Sequence, residues 1–178
     1  LMNSWYLATA SHNTVVMDQD DQVATKMGKV VEYDKEQNLL DVKADCIYSA
    51  GLLGDTYRRR LKLNENHLID KFYVTVRKTS DFDWFMHLSG QLKVEDESKW
   101  EPYQFEDVYS DSPYYHLKDL KKMTTDEDWS VVWEFEDKKV KLTMKGEPGT
   151  EIYRFKSYDI PTSKTRDGIM VRRTTKET

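Results

Sequence analysis

Three neighbouring arginines, Arg58-Arg59-Arg60, offer the most specific chemistry in the sequence. Residues two apart in a strand point the same way, so Arg58 and Arg60 would present two guanidinium groups on one face. Guanidinium is the side chain best suited to paired hydrogen bonds with a carboxylate or a sulfate. The plainer alternative is a solvated strand face laced with salt bridges. The four histidines, His12, His67, His87 and His116, lie far apart and show no metal-ligand spacing. His12 opens Ser11-His12-Asn13-Thr14-Val15-Val16, where a polar triplet meets an apolar run, and such triplets commonly satisfy backbone groups at a strand start. His67 reads as exposed turn chemistry, and His87, between Met86 and Leu88, as a half-buried strand residue. Asp18, Asp20 and Asp21 lack the central glycine and distal glutamate of a calcium loop, and suit a hairpin tip. No nucleophile elbow, phosphate loop or H-E-x-x-H helix is present, and the single cysteine, Cys46, allows neither an intrachain disulfide nor a thiolate zinc cluster.

The elements that must hold these groups are strands. Period-2 alternation with β-branched and aromatic residues recurs along the chain, and each run ends in a short polar turn. A strand over 13–17 leads to an acidic turn. Residues 28–33 pair with 39–44 in a first hairpin, and 57–63 with 67–76 in a second. Residues 83–88 form a separate strand, interrupted at Gly90 and resuming over 91–94 after a bulge. An irregular acidic and aromatic stretch covers 95–112. Leu117, Leu120 and Met123 have helical spacing, which predicts at most a short helix over 116–123. Trp129, Val131, Trp133 and Phe135 are expected to share a buried strand face, with 140–144 returning beside it. Residues 151–155 and 168–173 supply the last strands. The predicted fold is an all-β antiparallel sandwich, supersandwich-like, as one domain over residues 1–178.

Composition agrees. A chain of 178 residues can bury roughly 70% of its unfolded surface. The hydrophobic share is 38% and the charged share 33%, but 12% aromatic residues can fill a core. A net charge of −5 argues against a general nucleic-acid binder, and no apolar run is long enough to span a membrane as a helix. The segment starting at Leu1 lacks signal-peptide features and reads as a cut from something longer.

Several stretches together resemble the C-terminal sandwich domain of the heparinase II/III-like polysaccharide lyases. They are Ser11-His12-Asn13-Thr14-Val15-Val16-Met17-Asp18 with Gln22; Tyr57-Arg58-Arg59-Arg60-Leu61 with Leu68-Ile69-Asp70-Lys71-Phe72; Asp83-Trp84-Phe85-Met86-His87-Leu88-Ser89-Gly90; and Ile169-Met170-Val171-Arg172-Arg173. Their order matches from near the start to near the end. The resemblance implies an enzyme with an N-terminal α/α toroid, absent here, and a cleft holding an anionic uronic-acid polysaccharide. Cleavage there is by β-elimination, with Tyr and His moving the protons. The principal catalytic residues are then expected upstream of Leu1, leaving this fragment inactive. The resemblance further implies Asn13, Arg58 and Arg60 as substrate-binding residues and His12 as one zinc ligand in the intact protein, with no metal in the fragment alone. It favours a secreted or periplasmic location. Two other readings are a stand-alone carbohydrate-binding or scaffolding sandwich, with Trp84, Trp100 and nearby tyrosines stacking on sugars, and a lipocalin-like barrel.

Overall fold

The computed structural model describes residues 2–23, 28–45, 47, 48 and 56–177; Leu1 and Cys46 lie outside the described residues. Among the described residues the fold is built from antiparallel strands, with no helix of seven or more residues. In chain order the strands are β1 (Val15–Met17), β2 (Lys29–Asp34), β3 (Leu39–Asp45), β4 (Thr56–Leu63), β5 (Leu68–His87), β6 (Gln91–Lys93), β7 (Glu101–Pro102), β8 (Lys118–Thr125), β9 (Trp129–Phe135), β10 (Lys138–Met144), β11 (Thr150–Tyr158) and β12 (Thr165–Glu177). A large sheet runs β2-β3-β4-β5-β12-β11-β8-β7, with β1 also paired to β5, and a small sheet runs β10-β9-β6. Neither sheet closes on itself, which removes the lipocalin-like barrel.

The organising strand is β5. The sequence suggests two strands, 67–76 and 83–88, yet one strand of 20 residues runs through both. Its first half pairs with β4 and its last residues with β1, while β12 takes the other edge. The C-terminal part of β5 from Ser80, with β12 and β11 beside it, is covered on both faces. One face carries Phe85, Met170, Tyr153 and Phe155, which pack with Trp5, Phe105, Tyr114 and Leu117. The other carries Ile152, Ile169 and Val171, which pack under Trp129, Val131 and Trp133 of β9. Fully burying one such large side chain contributes roughly 1.5–3 kcal/mol, so this layering supplies most of the driving force.

Trp129, Val131 and Trp133 are inward as their spacing predicts, but Phe135 at the strand end is 48% exposed. The expected helix over 116–123 is a strand for most of its length, β8, preceded by a short 3-10 turn at Pro113–His116. Leu120 packs against the first core and Met123 against the second. A spacing of three puts them on opposite faces of a strand covered on both sides, which imitates a helical pattern. Gly90 does not mark a bulge. It sits at φ 102°, and a side chain there would come within 2.4 Å of the Glu134 carbonyl oxygen. The chain crosses at this point into the small sheet, where Gln91–Lys93 pairs with β9.

Candidate functional site

The His12-Asn13-Thr14 triplet is held by residues distant in sequence. The Asn13 side chain accepts from His87 N at 2.7 Å and donates to His87 O at 3.3 Å. The Asn13 carbonyl accepts from Arg59 Nη1 at 3.0 Å, and Thr14 Oγ1 lies 2.6 Å from the Tyr57 hydroxyl. Gln22 donates to the Val15 carbonyl at 3.1 Å. Arg59 in turn forms a two-bond fork with Asp70, at 2.9 and 2.7 Å, and lies over the Phe72 ring. Asn13 is therefore committed to joining β1 to the end of β5, while the adjacent His12 side chain is exposed.

Arg58 and Arg60 share a face, as the two-residue spacing predicts, and Asp41 of β3 lies beneath them. Arg58 donates to both Asp41 oxygens, at 2.7 and 2.6 Å, while Arg60 is 3.9 Å from Asp41 and 3.4 Å from Glu32. Asp41 is fully buried, and the Arg58 hydrogen bonds outweigh that burial, holding its carboxyl below the usual range. Both guanidinium groups remain partly open, at 38% and 41% exposure. The strand register places Lys43 opposite Arg58 and Lys71 opposite Arg60, with Lys62 two residues along. With Lys29 opposite Lys43, six cations thus share this face with Asp34, Asp41, Asp45 and Glu32. Tyr73, 44% exposed, lies opposite Arg58.

A second arginine–carboxylate fork is deeply buried. Arg172 donates to both oxygens of Asp83 at 2.7 Å, and the Tyr114 hydroxyl donates to Asp83 Oδ2 at 2.5 Å. Burial pushes the Asp83 carboxyl up, opposed by Arg172 and Tyr114; burial lowers Arg172, but Asp83 more than offsets this and the guanidinium stays charged. Arg172 also lies over the Phe105 ring at 5.3 Å. Next to it, the Tyr153 hydroxyl donates to Glu151 at 2.6 Å, and Lys122 pairs with Glu151. Neither phenol is poised to act as a base: burial first, then the neighbouring carboxylates, push both Tyr114 and Tyr153 above the ordinary tyrosine range. Tyr114 and Glu151 carry no motif in the sequence, because their partners are set by strand register and by the excursion between β7 and β8.

Each of the four stretches that stand out in the sequence contributes a residue to one of these linked clusters, from His12-Asn13-Thr14 through Arg59, Asp70 and His87 to Arg172. The whole pattern matches one family, described as Heparinase II/III-like, C-terminal, over residues 2–174. The chain belongs to the heparinase II/III-like C-terminal family. No curated protein sequence matches it at a significant level.

In this heparinase II/III-like domain His12 could serve a zinc ion only as one ligand of a larger set. Among the described residues no three His, Cys, Asp or Glu side chains converge on a common point, and tetrahedral zinc requires four donors. One contact not signalled by the sequence is Ser4 Oγ to His116 Nε2 at 2.9 Å. Burial lowers the His116 pKa, but no carboxylate orients its other nitrogen among the described residues, so the pair lacks the third group of a nucleophile–base relay. Trp100 is 6% exposed and Trp84 packs between two cores, so neither ring forms an open stacking platform. A cleft of about 530 Å³ lined by Trp100 and Trp129 lies apart from the clusters above. Glu95, Asp96, Glu127 and Asp128 rim it, which is unfavourable for a polyanion.

Proposed function

We propose that this domain is the non-catalytic wall of a polysaccharide lyase that cleaves uronic-acid polysaccharides by β-elimination. It faces an N-terminal helical toroid across the substrate cleft. The observation carrying this reading is the face of β2, β3, β4 and β5, where six cations, Lys29, Lys43, Arg58, Arg60, Lys62 and Lys71, outnumber the four carboxylates of Glu32, Asp34, Asp41 and Asp45 on a chain whose net charge is −5. Concentrating cations on one face of an acidic protein raises the local concentration of a polyanion there. Arg58 and Arg60 keep donors open to substrate carboxylates, and Tyr73 offers a flanking ring for a sugar. Asn13 acts on substrate by fixing the backbone beside His12. In the intact protein a zinc ion would draw on His12 together with ligands from other residues.

β-Elimination needs a base for the proton beside the uronate carboxylate and an acid for the leaving oxygen. Tyr114 and Tyr153 are engaged with carboxylates, and His87 is enclosed, with burial pulling its pKa down to about 3. These residues serve the fold, and proton transfer falls to the toroid. The test is incubation of the 178-residue chain with polygalacturonate, alginate, hyaluronan and heparin. The expected result is saturable binding to polyanions, none to neutral dextran, and no ultraviolet absorbance from unsaturated uronate products. Sustained growth of that absorbance would refute the non-catalytic assignment.

A further inference from the structure

Among the described residues the large sheet runs from β2 to β7 and the small one from β10 to β6, and three of these four edge strands are blunted. β7 is two residues long and ends in Pro102, which has no N–H to offer. β6 is three residues long, and β10 carries lysines at 138, 139 and 141. Short strands, proline and lysine are devices that keep a sheet edge from pairing with another chain. β2 is built differently. It is six residues long, has one lysine, and exposes Val30 at 66%, Val31 at 49% and Tyr33 at 68%. Its apolar side chains continue inward, because the register sets Val30 beside Val42, and Tyr33 beside Leu40 and then Leu61, with exposed Leu63 and Leu68 next along. Arg59 and Asp70, the charged pair on this face, neutralise each other in their fork. A contiguous apolar patch of this kind marks an interaction surface.

The residue order of β2 says what fits it. β3 pairs Val30 with Val42 and Glu32 with Asp41, leaving Val31 as a bulge. Bulges often guard an edge, but this one also resets the alternation. Val30 and Tyr33 come to lie on the apolar face, while Lys29, Glu32 and Asp34 lie on the basic face. Laid antiparallel against itself, Lys29-Val30-Val31-Glu32-Tyr33-Asp34 sets Lys29 against Asp34, Val30 against Tyr33 and Val31 against Glu32. Each outer pair then shares a face, so that cation meets carboxylate twice and valine meets tyrosine twice. Without the bulge the members of each pair would point to opposite faces.

We propose that β2 is the pairing edge of a homodimer, in which a second copy of this chain adds its own β2 antiparallel, about a two-fold axis perpendicular to the sheet. The two large sheets become one, with the apolar faces continuous on one side and the basic faces continuous on the other. Both β2 edges are used up, so assembly closes at two copies. The dimer goes beyond the lyase-domain reading and does not rest on it.

Sedimentation equilibrium of the 178-residue chain, from micromolar to submillimolar concentration, tests it. The weight-average mass is expected to rise from 21.1 kDa toward twice that value and to stop there. Tyr33→Lys, which sets a lysine across from Val30, should raise the dissociation constant roughly tenfold. Lys29→Asp and Asp34→Lys should each remain monomeric, since each sets like charges opposite one another twice. Their mixture should recover the dimer, since both cross-pairs are then opposite in sign. A wild-type chain that stays monomeric overturns the proposal, as does mass that climbs past two copies. A dimer untouched by the single charge reversals, or a mixture that stays monomeric, also overturns it. Polyanion binding by the same chain is a separate measurement, and its outcome bears on the lyase-domain reading alone. Asp34 also accepts from the Glu36 and Gln37 N–H groups of the turn. Should Asp34→Lys therefore fail to fold, Tyr33→Lys and Lys29→Asp decide: weakened association in both supports the dimer, and unchanged association in either overturns it.

Discussion

Asn13 and His87 clasp each other through two hydrogen bonds, the Asn13 amide spanning both the N–H and the carbonyl of His87. The residues are 74 apart in sequence, and the clasp fixes the start of β1 against the end of β5. Replacing Asn13 with Ala leaves His87 N–H without its acceptor. A loss of about 1–3 kcal/mol is expected in urea unfolding, with the slope unchanged. Asn13→Asp keeps the acceptor but not the donor and should fall between the two. Stability equal to wild type in Asn13→Ala would show that the clasp contributes nothing.

Asp83 and Arg172 should behave as a unit. Asp83 is fully buried and Arg172 nearly so, and removing one partner strands a charge in a dry site. Asp83→Ala is expected to cost about 3–5 kcal/mol, and Tyr114→Phe roughly 1.5–3 kcal/mol for the hydrogen bond to a charged acceptor. A double-mutant cycle of Asp83→Ala with Tyr114→Phe measures their coupling. Additive losses would contradict a shared network.

His87 sets a pH dependence. Burial holds its folded pKa near 3, below the ordinary value of 6.5, so the unfolded chain takes up the proton first as pH falls. Stability from this group is full above pH 6.5 and declines by up to about 1.4 kcal/mol per pH unit toward pH 3. His116, lowered in the same direction, adds to the decline. The depressed carboxylates, Asp41 and Glu151 among them, lose their contribution only as pH falls through their ordinary values, 3.8 for Asp and 4.5 for Glu. Unfolding free energies at pH 7, 6 and 5 should fall steadily, and His87→Gln should flatten the slope. An unaltered slope in that variant would show that His87 is not the titrating group.

Gly168 has no room for a side chain. A methyl group there would approach the Phe155 ring to 2.5 Å and His87 Nδ1 to 3.1 Å. Gly168→Ala is expected to cost about 1–3 kcal/mol through overpacking. Thermal melts of Gly168→Ala with and without Phe155→Leu check this, since the smaller side chain should recover part of the loss.

Most of the strand plan could be read from alternation, since one-sided strands such as β9 show a clean period of two. Strands covered on both faces were less legible. β8 hides its alternation because Leu120 and Met123 are both buried, on opposite sides, and β5 runs through a polar middle that reads as a break. The Arg58–Arg60 pair followed from spacing, but the carboxylate beneath it did not, because Asp41 meets them only through the β3–β4 register.

The basic face tests the account most directly. Arg58 must stay, since Asp41 depends on it, but Arg60 and Lys71 lie opposite each other and are more open. Titration of Arg60→Gln/Lys71→Gln with polygalacturonate should show affinity reduced about tenfold, with a shallower dependence on salt than wild type. A variant that binds as tightly as wild type, with the same salt dependence, would contradict the assignment of this face to a polyanionic substrate.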